Sequence, residues 1–167
     1  GMRAFLKDLK PDRFEDLVAA NALFRPGPMD QIPTYVAARH NPQKISYLHP
    51  LLEPILKDTY GVIVYQEQVM QIVQLLAGYS LGEADNLRRA MSKKKMAVME
   101  ENRSIFVQGK KGPKGEKEIA GCKEKGISES IANTIYDQMI EFAKYAFNKS
   151  HSVAYAYLAM QTAYLKV

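Results

Sequence analysis

Residues 65–91 read YQEQVMQIVQLLAGYSLGEADNLRRAM and carry the clearest secondary-structure signals of the chain, so we call them the deciding stretch. Apolar side chains in its first half recur at the spacing of one helical face. They are Val69, Ile72, Val73 and Leu76. Gly78 follows as a helix stop, and Ser80 with Glu83 forms a capping box that opens another helix. The stretch therefore predicts two consecutive amphipathic helices separated by a short turn.

The helical pattern extends outward from this stretch in both directions. Asp12 and Glu15 indicate a capping box for an early helix, and Ser128 is expected to cap a long one. Three further helices are predicted, over about residues 30–39, 96–108 and 151–167. Ser150 is expected to cap the last helix, which is apolar on two opposite faces, as is typical of a buried helix. We expect its second face to be covered by another part of a longer protein.

Two segments depart from this pattern. The β-branched residues 62–64 predict a short extended strip, too short to found a sheet. Residues 109–126 are rich in Gly, Lys and Glu and contain Pro113, which predicts an exposed connector with at most one helical turn. The predicted fold class is therefore all-α.

Composition narrows the function classes. The 167 residues are about one domain's worth, and 47% of them are apolar, enough to bury a core. Cys122 is the sole cysteine, which excludes an internal disulfide and a cysteine-cluster metal site. No apolar run reaches the roughly 18 residues that a membrane span needs. The chain has no Walker loop, His-Glu-x-x-His motif, Ser-nucleophile motif or Asp-x-Asp pair. We therefore expect neither a metal site nor catalytic carboxylates in this chain.

Positive charge is concentrated in one stretch. Residues 86–125 hold twelve Lys and Arg against five Asp and Glu, so this stretch carries +7 and the remainder −2 of the net +5. Cations surround one helix end near Ser92, namely Arg88, Arg89, Lys93, Lys94 and Lys95. Guanidinium and ammonium groups of this density predict a phosphate site. The alternative is a solvated basic face in which Asp85 pairs with Arg89 four residues on.

A second polar cluster lies at a break between two apolar helices. It comprises Asn148, Lys149, Ser150, His151 and Ser152, flanked by Tyr145, Phe147 and Tyr155. Free N–H groups at a helix start attract anions, and aromatic rings can stack on bases. The alternative is a helix cap with core aromatics.

A third candidate lies at the start of the helix in the deciding stretch. Tyr65, Gln66 and Gln68 offer a ring and two amides that can meet a base or a sugar edge. The alternative is an exposed first turn in which Glu67 is favoured by the helix dipole. His40 and His49 lie in a proline-containing loop without ligand partners and are expected to be surface histidines.

Four blocks carry a family resemblance. They are residues 24–29 (FRPGPM), 60–70 (YGVIVYQEQVM), 78–95 (GYSLGEADNLRRAMSKKK) and 142–155 (FAKYAFNKSHSVAY). Their order and content resemble the fingers region of the bacterial replicative DNA polymerases of the C family, the DNA polymerase III alpha subunits. The family often has Gly where Ser92 stands, and the connector at 109–126 resembles nothing diagnostic.

The resemblance implies roles for the candidate residues. Arg88 and Arg89 would bind the triphosphate of an incoming dNTP or stabilise the charge of the leaving pyrophosphate. Lys93, Lys94 and Lys95 would support that site or the template backbone. Residues 148–151 would line the nucleotide pocket, where His151 would discriminate against a 2′-hydroxyl. Tyr65, Gln66 and Gln68 would form its wall. The catalytic carboxylates and Mg²⁺ would belong to the palm of the parent enzyme.

The resemblance also implies the partners and the cellular location of the protein. Partners would be primer-template DNA, dNTP, the palm and other domains of the same polypeptide, and replisome subunits, in the bacterial cytoplasm and with no membrane. Gly1 and Met2 are expected to be a cloning remnant, and residues 3–167 a fingers domain cut from a larger protein. The competing hypotheses are a stand-alone helical nucleic-acid-binding module and a protein-binding scaffold whose lysines serve solubility.

Overall fold

A computed structural model describes residues 1–143, 145 and 148–166 and shows a mainly helical chain. The α-helices are α1 (Met2–Leu9), α2 (Phe14–Leu23), α3 (Ile32–His40), α4 (Glu53–Leu56), α5 (Gln66–Ala77), α6 (Leu81–Ser92), α7 (Met96–Gln108), α8 (Glu129–Ala143) and α9 (Lys149–Leu165). Short 3₁₀ turns cover Pro28–Gln31, Pro42–Lys44, Pro50–Leu52, Lys57–Thr59 and Cys122–Lys125. The strands β1 (Lys110–Lys111) and β2 (Lys117–Ile119) pair antiparallel. The all-α prediction is confirmed.

The deciding stretch folds as its pattern predicts. Helix α5 ends at Gly78, whose φ of 75° lies in the left-handed region that glycine adopts at no steric cost. The Ser80 N–H donates to Glu83 Oε2 at 2.8 Å, and the Glu83 N–H donates to Ser80 Oγ at 3.2 Å. This capping box starts α6. Ser128 Oγ accepts from the Ile131 N–H at 3.3 Å and caps α8 as expected.

Two predicted caps are wrong, and one helix was not predicted. Helix α2 begins at Phe14 without a side-chain cap, because the Asp12 carboxylate accepts from Arg39 Nη2 at 2.7 Å instead. Helix α9 is capped by Asn148, whose Oδ1 accepts from the His151 N–H at 3.1 Å, and not by Ser150. Helix α1 had no cap signal in the sequence and forms against the apolar surface of α3.

The residues form two apolar cores that meet at the extended strip. One core is built from α1, α2 and α3, with Ala156 of α9, and the other from α4 to α8. Val62 and Val64 enter the first core while Ile63 enters the second, since successive side chains of an extended segment point to opposite sides. The strip therefore joins the cores and places the start of α5 at their junction.

The expectation of an exposed connector at 109–126 is wrong for residues 119–122. The segment folds as the β1–β2 hairpin followed by a 3₁₀ turn, and its lysines and glutamates are exposed in both. Ile119 and Cys122 are buried in the second core. The Gly121 N–H donates to the Ala77 carbonyl at 2.8 Å. The two-stranded sheet thus lies here and not at the strip 62–64.

Helix α9 is buried on one side of its first half. Ser152 and Ala156 pack against α2, whereas the second half exposes large apolar side chains. These are Tyr157, Leu158, Met160, Tyr164 and Leu165. An apolar groove of about 770 Å³ is lined by four of them, Tyr157, Met160, Tyr164 and Leu165, together with Phe14 and Gln161. The predicted second apolar face is therefore present and lies open in this chain. No described helix combines the length and the apolarity that crossing a bilayer requires.

A buried carboxylate holds the first core together. Asp16 is fully buried and lies 3.2 Å from Arg39 and 3.3 Å from Arg13, and it accepts a hydrogen bond from the Tyr60 hydroxyl at 2.9 Å. Burial alone raises the pKa of Asp16, but the Tyr60 hydrogen bond and the two guanidinium groups outweigh it, so the pKa lies below its ordinary value. The network links α2, α3 and the segment before the strip.

We expect Asp16→Asn to lower the free energy of unfolding at pH 7 by about 3 kcal/mol, because two guanidinium groups lose a buried counter-charge. Asp12→Asn is the matched control: Asp12 also pairs with Arg39 but is 76% exposed, so its loss should cost at most about 1 kcal/mol. Urea unfolding of the three proteins measures both values.

The depressed pKa of Asp16 also sets the sign of a pH dependence. Its stabilisation is complete above the unfolded pKa of about 4 and is lost as the pH falls through the lower folded value. The wild type should therefore lose more stability than Asp16→Asn between pH 5 and pH 2. Equal losses in acid would contradict this role.

Candidate functional site

The two predicted phosphate-binding arginines share one carboxylate. Asp85 accepts from Arg88 Nη2 at 2.7 Å through Oδ1 and lies 2.8 Å from Arg89 Nε through Oδ2. The hydrogen bond from Arg88 and the charges of both arginines hold the pKa of Asp85 below its ordinary value. Arg88 is 27% exposed and Arg89 is 65% exposed. Asp85 therefore orients both guanidinium groups at the last turns of α6 and keeps them accessible.

The three lysines lie in the tight turn from α6 to α7. Lys94 has φ 53°, and its N–H donates to the Met91 carbonyl at 3.0 Å. Lys93, Lys94 and Lys95 are all exposed, and the ion pairs of the described residues include none of them. The turn places the three lysines directly after the end of α6 that carries the two arginines.

The first turn of α5 lies against this basic end. Gln66 Oε1 accepts from Arg88 Nη1 at 3.3 Å, and Gln66 Nε2 donates to Ser92 Oγ at 3.4 Å. The Ser92 hydroxyl in turn donates to the Arg88 carbonyl at 3.0 Å. The structure thus brings Gln66 to the α6 cations.

Glu67, the residue that follows Gln66, contacts the second polar cluster. The Glu67 carboxylate accepts from the Lys149 N–H at 3.1 and 3.3 Å, at the start of α9. The Lys149 ammonium lies 5.5 Å from the centroid of the Tyr65 ring, a cation–π contact. Residues 65–67 therefore reach both cation-bearing helix ends.

Of the other members of the second cluster, Asn148, Ser150 and His151 are exposed at the start of α9, whereas Ser152 is buried against α2. Ser150 is open to solvent, and the His151 ring packs edge-on against Tyr155 with centroids 4.6 Å apart. Arg25 donates to the carbonyl of Tyr145, which ties the end of α2 to the segment before α9. Phe147, a predicted flanking aromatic, lies outside the described residues.

Among the residues predicted to form the wall of the nucleotide pocket, Gln68 has a structural role. Its Oε1 accepts from the N–H groups of Val64 and Tyr65, and its Nε2 donates to Thr59 Oγ1 at 2.8 Å. Gln68 is buried, so its amide fixes the strip to α5 and does not face a ligand. Tyr65 is also buried, which raises the pKa of its hydroxyl.

Tyr65 and Lys149 do line a cavity, of about 250 Å³. Its other polar groups include the carboxylates of Glu15 and Asp58. Like charges repel, so this cavity disfavours a triphosphate. The surface between the end of α6 and the start of α9 is the better position for an anion.

This surface, which we name the cationic cleft, carries six cations against two carboxylates. The cations are Arg88, Arg89, Lys93, Lys94, Lys95 and Lys149, and the carboxylates are those of Asp85 and Glu67. Forked guanidinium donors, ammonium groups and a helix N-terminus are the groups that bind polyphosphate oxygens. Among the described residues, no three His, Cys, Asp or Glu side chains converge to hold a metal ion.

Two contacts of the cleft were not predicted. Glu67 and Lys149 are 82 positions apart, and the sequence pattern assigns Glu67 only to an exposed first turn. The Asp85–Arg89 pair of the alternative interpretation is present, but the hydrogen bond from Arg88 to Asp85 was not anticipated. The three-residue spacing of Asp85 and Arg88 is the signal that would have indicated it.

Comparison with known proteins identifies the same family that the four sequence blocks resemble. Residues 1–113 match the family described as the bacterial DNA polymerase III alpha subunit finger domain. Over its whole length the chain is 51% identical to the DNA polymerase III subunit alpha of Staphylococcus aureus strain Mu50 and 50% identical to that of Staphylococcus epidermidis. It spans 15% of the length of these relatives. The chain therefore belongs to the family of bacterial DNA polymerase III alpha subunits and contains their finger domain.

Proposed function

We propose that the cationic cleft binds the triphosphate of an incoming dNTP and positions the nascent base pair for template-directed DNA synthesis. One observation carries the proposal: consecutive residues of α5 contact both cation-bearing helix ends, Gln66 at Arg88 and Glu67 at Lys149. A single polyphosphate chain lying across α5 would meet guanidinium groups on one side and the Lys149 ammonium on the other.

The chemistry of phosphoryl transfer supports this role. The reaction depends on positioning and on charge stabilisation more than on covalent chemistry from the protein. Arg88 donates to Asp85 through Nε and Nη2 and to Gln66 through Nη1, so its guanidinium is held in place and has only its remaining Nη protons to offer a phosphate. The more exposed Arg89 can move to follow the phosphates. Lys93, Lys94 and Lys95 add charge that would stabilise the leaving pyrophosphate or the template backbone.

The rest of the polymerase reaction lies outside this chain in our proposal. Carboxylates of a palm domain in the parent polypeptide would hold the Mg²⁺ ions and carry the transfer. Primer-template DNA and the palm would be the direct partners, and replisome subunits would be reached through the parent. Family membership favours this hypothesis over a stand-alone nucleic-acid-binding module and over a protein-binding scaffold.

Arg89→Ala in the full-length alpha subunit should lower kcat/KM for dNTP incorporation by about 100-fold, since one charge-stabilising donor is lost. Arg3→Ala removes an equal charge from the exposed face of α1 and is the matched control. Single-turnover primer extension at varied dNTP concentration measures both. If Arg89→Ala behaves like the control, the arginine serves only its ion pair with Asp85.

His151→Ala in the same enzyme should raise ribonucleotide incorporation relative to deoxyribonucleotide by about tenfold, because the ring would no longer crowd a 2′-hydroxyl. Tyr155→Phe keeps the ring that His151 packs against and should retain discrimination. The ratio of kcat/KM values for the two substrates is the readout. Unchanged discrimination in His151→Ala would remove this residue from the sugar pocket.

A further inference from the structure

The basic stretch 86–125 divides into two separate patches. Its first part forms the cationic cleft at the start of α5. Its last part forms a second patch, the hairpin patch, made of the β1–β2 hairpin and the 3₁₀ turn Cys122–Lys125. Gly121 contacts Ala77 at the end of α5. Because α5 has twelve residues, the two patches are about 17 Å apart along its axis.

The hairpin patch stands on a fixed base. A Cβ at Gly109 would lie 2.5 Å from the Ala120 carbonyl oxygen, so the backbone is closely packed where the hairpin leaves the core. The tip is ordered as well: the Gly112 N–H donates to the Glu116 carbonyl at 2.7 Å, and the Lys114 N–H donates to the Glu116 carboxylate at 2.9 Å. The hairpin is therefore a formed projection and not a loose connector.

Ion pairs within the patch account for only part of its positive charge. Lys111 and Lys117 are cross-strand partners, and like charges directly opposite each other destabilise a strand pair. The nearby carboxylates are already engaged: Glu118 pairs with Lys110 at 3.2 Å, and Glu124 pairs with Lys117. The ion pairs of the described residues leave four ammonium groups of the patch without a carboxylate, those of Lys111, Lys114, Lys123 and Lys125.

We propose that the hairpin patch binds the sugar–phosphate backbone of the primer-template. The proposal rests on the proposed function, and the 17 Å separation from the cleft equals about five nucleotide steps along a strand. Compact ammonium groups suit phosphate as point charges. The exposed hairpin residues 110–118 include no aromatic or large aliphatic side chain, so stacking on bases and insertion into a lipid surface are disfavoured.

The test uses the full-length alpha subunit carrying Lys111→Gln, Lys114→Gln and Lys123→Gln together. The control carries Lys7→Gln, Lys44→Gln and Lys57→Gln, three exposed lysines outside the patch. Fluorescence anisotropy gives the Kd for a labelled primer-template between 50 and 200 mM salt. The slope of log Kd against log salt should fall by about 2 to 3, and binding near 0.1 M salt should weaken by about tenfold or more.

A slope equal to that of the control would overturn the proposal, provided that both variants show wild-type thermal unfolding. The dNTP concentration dependence at saturating DNA separates this proposal from the proposed function. If Arg89→Ala leaves that dependence unchanged while the hairpin variant loses salt slope, the triphosphate assignment fails and the hairpin patch stands. The reverse pattern overturns the hairpin patch alone.

Discussion

The candidate site depends on the contacts that the first turn of α5 makes with α6 and α9. Gln66 reaches Arg88 at 3.3 Å, and Glu67 accepts from the Lys149 N–H at 3.1 Å. These contacts are possible because the strip 62–64 runs between the two apolar cores and delivers α5 to their junction. Gln68 locks the strip to the helix through the N–H groups of Val64 and Tyr65. The packing of the two cores therefore also positions the groups that form the cleft.

Carboxylates have two different tasks in this molecule. Asp16 is buried, and its ion pairs with Arg13 and Arg39 hold the first core. Asp85 and Glu67 lie at the cleft, where they reduce its positive charge but orient the groups that would meet a triphosphate. Preorganised donors need no rearrangement when charge develops during a reaction, which compensates for the lost attraction.

The sequence predicts the helices well because periodicity and caps are local. Gly78 and the Ser80 capping box placed the turn between α5 and α6 correctly. The sequence predicts the N-cap of α9 wrongly. Asn148 and Ser150 are both good N-cap residues, and only the packing of α9 on α2 selects Asn148. The hairpin at 110–119 was missed because its Gly- and Lys-rich composition is also that of a linker, and its anchoring to Ala77 is a tertiary contact.

A double-mutant cycle distinguishes one shared site from two, because the end of α6 and the start of α9 are proposed to bind the same triphosphate. The dissociation constant for dNTP would be measured in the full-length alpha subunit for Arg88→Ala, Lys149→Ala and the double variant. If both side chains hold one triphosphate, the effects of the two substitutions on the free energy of dNTP binding should be non-additive by about 1 kcal/mol. Effects that add to within about 0.3 kcal/mol would show two independent sites and would contradict the account.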